Sequence, residues 1–519
     1  MDHSVMTRTC VAAFGLSLVA LAAACGTTSP DRANPTQPTA KKAAAAEREA
    51  VTPPVVDDAA LAPQREAARG RVARKWTGDL DGMIKRRLIR VLTTMSKTDY
   101  FVDRGTQRGL VYDAFRVFED DLNKKLKSKH IRVNVVLVPV SHDDLIPALL
   151  DGRGDIVAAG TMIADPRRQQ IDFTNPTRSG VSAIVVTGPG APPVTKVEDL
   201  AGREVYLRLS MTTPQGVERF NAALATKGLP PVKIRPAPEV LADEDILEMV
   251  NAGLVKTTVA FDYVAEFWQR IFPKLVLSTG VAVKTDGQIA MMIRKRSPRL
   301  KAELNAFLAR YPNGSKQRNL LLQKYLGSVQ YAKDATSAAE RAKFDRTAEM
   351  FRKYSQQYTL DYLLMIAQGY QESKLDQNAK SRVGAIGVMQ VMPRTAKGLN
   401  VGDIRRIDSN IHAGVKYIRF MMDRYYANEP MDQLNKGLFT FASYNAGPAR
   451  ISQLRARAAG RGLNPNTWFN NVEVLAAESI GRETVQYVAN IYKYYLAYGM
   501  LMEEETLRLK AKQAAAAGR

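Results

Sequence analysis

Histidine, tryptophan and cysteine are all scarce, at four, three and two in 519 residues. The histidines (His3, His130, His142 and His412) are scattered and form no HxxxH-type or carboxylate cluster of metal-ligand spacing. No metal and no cofactor are therefore expected. No run of apolar residues reaches the ~20 that a membrane-spanning helix needs. The longest covers residues 11–24, which excludes a polytopic membrane protein. A Walker-type phosphate loop, a GxSxG elbow and an internal repeat are also missing. Acidic residues are outnumbered, 52 against 74 Lys+Arg, a net charge of +22 that favours an anionic partner. With 45% hydrophobic residues the chain can build two or three packed domains.

The first segment narrows the choice of partner. Arg8 leads into the apolar run, which ends in Leu21-Ala22-Ala23-Ala24 before Cys25. A charged start, an apolar stretch and small residues describe a secretory signal. Small residues directly before a cysteine resemble the bacterial lipoprotein signal, although Leu21 stands four places before Cys25 where three is usual. The resemblance implies a signal peptide over residues 1–24 and lipidation of Cys25; the alternative is a plain signal peptide cut elsewhere. Cys10 lies in the removable part, so the mature chain holds no free thiol, which excludes disulfides, thiolate catalysis and Cys-ligated metals. An exported protein meets little nucleic acid. The expected anionic partner is the cell wall, and Gly26 after the cysteine favours a lipid-anchored position on the periplasmic face of the outer membrane.

Residues 25–75 are rich in Ala, Pro, Thr and charge and read as a disordered tether, reaching roughly 40 Å. From residue 88 short β-branched runs alternate with amphipathic segments: LIRVLTT, IRVNVVLVPV, DIVAAG, SAIVVTG, EVYLRL, VKIRP, TTVAFD, LVLSTG and IAMMIRK. This predicts an α/β module with largely parallel sheets over residues 76–311. Gly188-Pro189-Gly190 and residues 284–287 are the expected crossings between its two lobes. Strand signals stop beyond Pro298. A helical connector over 312–354, an all-α domain over 355–500 and a low-complexity tail over 501–519 follow.

Three α/β segments, RGLVYDAFRVFEDDL, GDIVAAGTMIADPRRQQIDFTNP and TTVAFDYVAEF, resemble the extracellular solute-binding protein family that recognises amino acids, over residues 88–308. The resemblance implies that Arg167 grips a ligand α-carboxylate, a task the planar guanidinium fork suits, and that Asp262 pairs with the ligand amine. Thr212 and Thr213 stand where a strand gives way to a helix, a place for an anion. Gly160 and Ala164 replace hydroxyl residues common in the family, which suits a peptide better than a free amino acid. The bland alternative is a degenerate module in which Arg167 is a surface charge.

The helical part contains YQESKLDQNAKSRVGAIGVMQVMP, FASYNAGPARI and GRETVQYVANI, in this order. Together they resemble the lytic transglycosylase domain with the lysozyme-like fold; Val388 stands where Leu is usual. A solute-binding module ahead of such a domain resembles the membrane-bound lytic transglycosylase F family. From the residues alone, Glu372 falls near the end of an apolar helix, where shielding would raise its pKa and keep it protonated as a general acid. Gly384, Gly387 and Pro393 break the next segment into a loop that lets backbone and Gln390 approach a sugar chain. The resemblance implies Glu372 as the single catalytic carboxyl, with Ser373, Gly387, Met389, Gln390, Tyr444, Asn445, Glu483 and Tyr487 contacting substrate. Asp376 lies four residues beyond Glu372 and shares its face if the helix continues, so a two-carboxylate hydrolase stays open. Residues 351–500 carry 19 Lys+Arg and 11 Asp+Glu; Arg405, Arg406, Arg455, Arg457 and Arg461 would attract acidic stem peptides, or simply keep the surface soluble.

The expected architecture is an α/β two-lobed periplasmic-binding-protein-like module followed by an all-α lysozyme-like domain. The expected activity is cleavage of the MurNAc-GlcNAc β-1,4 bond of peptidoglycan glycan strands with 1,6-anhydro-MurNAc ends. A muropeptide or an amino acid is the expected ligand of the α/β module, with control of cleavage as its expected effect. The alternatives are a murein-binding or solute-sensing lipoprotein without catalysis, and a hydrolytic muramidase.

Overall fold

Two five-stranded sheets and a helical domain organise the chain, in a computed structural model that describes residues 58–210, 214–332 and 338–517. The expected signal peptide, Cys25, most of the tether, Thr212 and Thr213 lie outside the described residues. The strands are β1 (Leu88–Thr93), β2 (Phe101–Asp103), β3 (Thr106–Arg108), β4 (Asn134–Pro139), β5 (Ile156–Val157), β6 (Ile171–Phe173), β7 (Arg178–Thr187), β8 (Glu204–Leu207), β9 (Lys233–Pro236), β10 (Thr257–Phe261), β11 (Val276–Ile289) and β12 (Met292–Arg294).

The first lobe has the order β4-β1-β5-β12-β6 and the second β11-β7-β10-β8-β9. Strand β1 runs parallel to β4 and β5, with Leu88 opposite Asn134 and Val91 opposite Ile156. All six of its residues are buried, as befits a strand covered on both faces. The sheets are mixed rather than largely parallel, because β12, β7 and β11 pair antiparallel. The chain crosses between lobes at residues 174–177 and 290–291, where Thr174 N–H donates to Met291 O (3.0 Å) and Thr177 N–H to Ile289 O (2.7 Å). Two of the glycines expected to mark the crossings serve close packing instead: a Cβ on Gly188 would lie 2.1 Å from Val250 O, and one on Gly287 2.4 Å from the Met162 methyl.

Two expected boundaries move. The tether ends earlier than expected, because Asp58–Ala73 is a helix with Leu61, Ala68 and Val72 buried. Arg65 anchors it through a bidentate pair with Asp361 (3.0 and 3.1 Å). The tail is not a tail: the helix Arg482–Ala517 runs unbroken through residue 500, about 54 Å at 1.5 Å per residue. Its first turns pack in the helical core. Lys493 then reaches Glu119 of the first lobe (2.7 Å), and Arg508 reaches Asp245 (2.6 Å) and Glu244 (3.5 Å) of the second. Alanine-rich composition hid a helix that ties three parts of the chain together.

Candidate active site

The helix Tyr362–Ser373 starts at Asp361, whose side chain accepts from Leu363 N–H. Every residue from Tyr362 to Tyr370 is buried, as expected for a helix apolar all round. Lys374 and Leu375 take left-handed φ values of 61° and 62°, which ends the helix and turns the chain away. Glu372 therefore occupies the last turn, where the helix dipole opposes a negative charge.

Its Oε1 accepts a hydrogen bond from the Tyr487 hydroxyl at 2.5 Å. Burial raises the Glu372 carboxyl to about 7, against the smaller downward pull of that hydrogen bond. No other charged group enters the balance among the described residues. Asp376, the sequence's candidate second acid, is exposed beyond the helix end and its Oδ1 accepts from Asn378 N–H (2.9 Å). The broken helix removes the shared face on which a pair depended.

The glycine-marked loop after Glu372 is suspended from three points. Ser373 Oγ donates to Val388 O (2.9 Å), Tyr444 OH donates to Met389 O (2.8 Å), and buried Asn410 accepts from Met389 N–H (2.8 Å) while donating to Ile386 O (2.8 Å). Gly387 has φ 76°, and a Cβ there would come within 2.5 Å of Asn410 Nδ2. Gln390, also left-handed at φ 45°, folds its amide back onto Gly387 O (2.8 Å). Tyr487 thus touches Glu372 directly, and Tyr444 lies near enough for the Glu372 charge to raise its hydroxyl further, after burial. Met389 differs from the expected substrate contact: its side chain is fully buried against Gly369 and Gly414. Glu483 is exposed on the first turn of the last helix, and its neighbour Thr484 donates to Asn445 Oδ1 (2.6 Å). Asn410 and the buried Gln368, whose amide lies 3.4 Å from Tyr487 OH, carried no motif signal that would have singled them out.

In the α/β module a cavity of about 490 Å³ lies between the lobes, with Arg167 on its wall. Asp262 does not line it. Its carboxylate accepts from Ser182 N–H (2.9 Å) and Tyr263 N–H (2.8 Å), holding the start of the helix Asp262–Gln269. Among the described residues no group of His, Cys, Asp and Glu is arranged to hold a metal ion.

The family described as Transglycosylase SLT domain matches residues 349–465, which include Glu372 and the loop it faces. The family described as Bacterial extracellular solute-binding proteins, family 3, matches residues 89–328. Membrane-bound lytic murein transglycosylase F of Pseudomonas fluorescens is 26% identical over 427 residues, 79% of this chain and 84% of that one. The protein of the same name from Desulfosudis oleivorans is 27% identical, over 78% and 88%. The chain is a homologue of the membrane-bound lytic murein transglycosylases F. It carries the solute-binding and SLT modules in the order expected, and it is a lytic transglycosylase. Solved structures similar to the α/β part include a mutant arginine-binding protein of T. maritima (21% identity, 48% of this chain and 99% of that one, TM-score 0.39). Another is an ancestral amino acid-binding protein, a precursor of cyclohexadienyl dehydratase (25% identity, 48% and 99%, TM-score 0.38).

One consequence of the Tyr487 contact is measurable. Its hydrogen bond is what pulls the Glu372 carboxyl downward, so Tyr487→Phe should move the alkaline limb of the pH–rate profile to higher pH. The maximum rate should fall at the same time, because the carboxyl loses its fixed orientation. An alkaline limb that stays in place would separate Tyr487 from the titrating group.

Proposed function

We propose that the chain cleaves the MurNAc-GlcNAc β-1,4 bond of peptidoglycan and releases 1,6-anhydro-MurNAc ends. The observation that carries this reading is the Glu372 carboxyl raised to about 7, with only a tyrosine hydroxyl hydrogen-bonded to it and no second acid in the balance among the described residues. Protonated Glu372 donates its proton to the glycosidic oxygen as the bond to C1 breaks. The resulting carboxylate then takes the proton of the C6 hydroxyl, whose oxygen closes onto C1. No water is consumed and the carboxyl is regenerated. A hydrolase would need a second carboxylate to hold water or form a covalent intermediate, roughly 5–9.5 Å from the first. Tyr444 lies near the carboxyl and Gln390 belongs to the glycine-marked loop, and we assign them, with Gly387 and Asn445, to holding the sugar chain. The test is the product: anhydro ends or reducing ends, read by mass spectrometry of digested murein.

Lipid attachment at Cys25 and a place on the periplasmic face of the outer membrane belong to the same proposal. No described helix is long and apolar enough to cross a membrane. Cys25→Ser should therefore shift the protein from the membrane pellet to the soluble fraction, with an expected loss of most of the pelleted protein. Retention through a high-salt wash would contradict the anchor. The α/β module is assigned a ligand with a free carboxylate, held by Arg167, which has no acidic partner among the described residues. Residues Leu321, Leu322 and Leu326, on the way to the catalytic domain, line the same cavity. That gives a ligand direct contact with the segment leading to Glu372, and control of cleavage requires that it favour one arrangement of that segment.

A further inference from the structure

One buried side chain of the catalytic helix weakens the packing it belongs to. From Tyr362 to Tyr370 every residue is buried, and all but Gln368 are apolar, aromatic or glycine. Gln368 is fully buried, and its Oε1 has no hydrogen-bond partner among the described residues. Its Nε2 reaches one group, the Tyr487 hydroxyl, at 3.4 Å. Burying an amide with its oxygen unpartnered costs stability. A methionine or leucine would fill the position without that cost. Where a fold keeps a residue that weakens it, the reason is to be sought in the chemistry beside it.

Gln368 stands four residues before Glu372, so the two side chains leave the helix on one face, one turn apart. Tyr487 comes from the last helix, Arg482–Ala517, and its hydroxyl joins them: it accepts the Gln368 N–H and donates to Glu372 Oε1 (2.5 Å). A hydroxyl has one proton to give. Were Glu372 the donor, the Tyr487 oxygen would accept twice and its own buried proton would have no acceptor. The amide behind it therefore holds Tyr487 as the donor and strengthens its bond to the carboxyl. With Oε1 occupied as an acceptor, the proton of the acid sits on Oε2, which has no partner among the described residues and is open to a glycosidic oxygen. The other titratable groups on this side are Tyr444, from the helix Gln433–Ala446, and Tyr417, from Ile407–Tyr426, whose ring centre lies 5.6 Å from that of Tyr444. No lysine, arginine or histidine among the described residues enters the balance of Glu372 or Tyr444.

We propose that Gln368 is a positioning residue for the cleavage reaction: by donating to the Tyr487 hydroxyl it fixes that hydroxyl as a donor to Glu372 Oε1 and keeps the catalytic proton on Oε2. The proposal rests on the reading of Glu372 as the acid. The proton given to the glycosidic oxygen leaves Oε2 as the bond to C1 breaks. The proton of the C6 hydroxyl returns to Oε2 as its oxygen closes onto C1. Tyr487 keeps its own proton throughout, as suits a hydroxyl that burial, then the Glu372 charge, push well above its ordinary range.

Release of anhydro-muropeptides from purified murein by the full-length protein tests this with Gln368→Met, which keeps the length of the side chain and removes the donor. The rate at saturating murein should fall roughly three- to tenfold, the scale of one hydrogen bond, with KM unchanged. The alkaline limb of the pH–rate profile should move to higher pH, as for Tyr487→Phe but by less, because the hydrogen bond that pulls the carboxyl downward is weakened. The melting temperature should hold or rise, since a buried unpartnered oxygen is removed. In the Tyr487→Phe background the same substitution should change neither the rate nor the limb, because the hydroxyl it acts through is gone. Gln368→Leu gives a second shape for the same readings. A wild-type rate and limb in both variants, or a loss as large in the Tyr487→Phe background, overturns the proposal. A lowered melting temperature in both variants, or failure of both to fold, also overturns it and makes the amide part of the packing. Glu372→Gln is the control. Wild-type turnover by that variant removes the reading of Glu372 and this proposal together, whereas an inactive Glu372→Gln beside fully active Gln368 variants removes this proposal alone.

Discussion

Glu372→Gln should abolish release of anhydro-muropeptides, with a fall in rate of about 10²–10⁴-fold or more, the usual contribution of a positioned general acid. The substitution keeps the size of the side chain and an oxygen for the Tyr487 hydroxyl, so murein binding should survive. It should also stabilise the fold at alkaline pH. The carboxyl ionises at about 7 in the folded chain against an ordinary value of 4.5, so the folded state holds this proton more tightly than the unfolded one. Its contribution to stability is complete below pH 4.5 and is lost as pH rises through 7, about 3 kcal/mol in all. At pH 8 the Gln variant should therefore melt several degrees above the wild type, and near pH 4 the two should coincide. Coincident melting at both pH values would show that Glu372 is not held in its neutral form.

The second large effect is expected at Arg508. This side chain is 8% exposed and joins the last helix to Asp245 and Glu244 of the second lobe, with Nη1 also reaching Met95 O of the first (3.4 Å). Arg508→Met keeps the apolar stem but leaves two buried carboxylates with much less compensation, since Lys512 still pairs with Asp245 (3.3 Å). Removing one partner of such a buried network costs about 3–5 kcal/mol. Chemical denaturation should register a loss of this size in the transition of the whole chain. An unchanged midpoint would mean that the helix beyond residue 500 rests on the module without holding it.

Residues whose chemistry depends on local order were legible in the sequence, and those whose chemistry depends on distant partners were not. Glu372 could be proposed as the acid because an apolar helix, a chain-breaking glycine loop and three ordered motifs all lie along the chain. Gly387 could be marked as a loop residue, but not the contact with Asn410 that requires it. Asp262 sits in the right motif, yet its carboxylate is spent on Ser182 and Tyr263 backbone groups, a use that only the strand pairing reveals. The helix Asp58–Ala73 and the part of Arg482–Ala517 beyond residue 500 were obscured because they are rich in alanine and charge. Their order comes from tertiary contacts such as Arg65 with Asp361 and Arg508 with Asp245, more than from an apolar stripe.

In the proposed reaction one carboxyl, unaided by a second, closes an intramolecular ring instead of admitting water. Mass spectrometry of sugar ends released from purified murein tests it most directly, since anhydro and reducing ends differ by one water. The wild-type protein should release anhydro-MurNAc ends, and Glu372→Gln none. Reducing MurNAc ends as the main product would contradict it and would require a second catalytic acid that the arrangement around Glu372 does not supply.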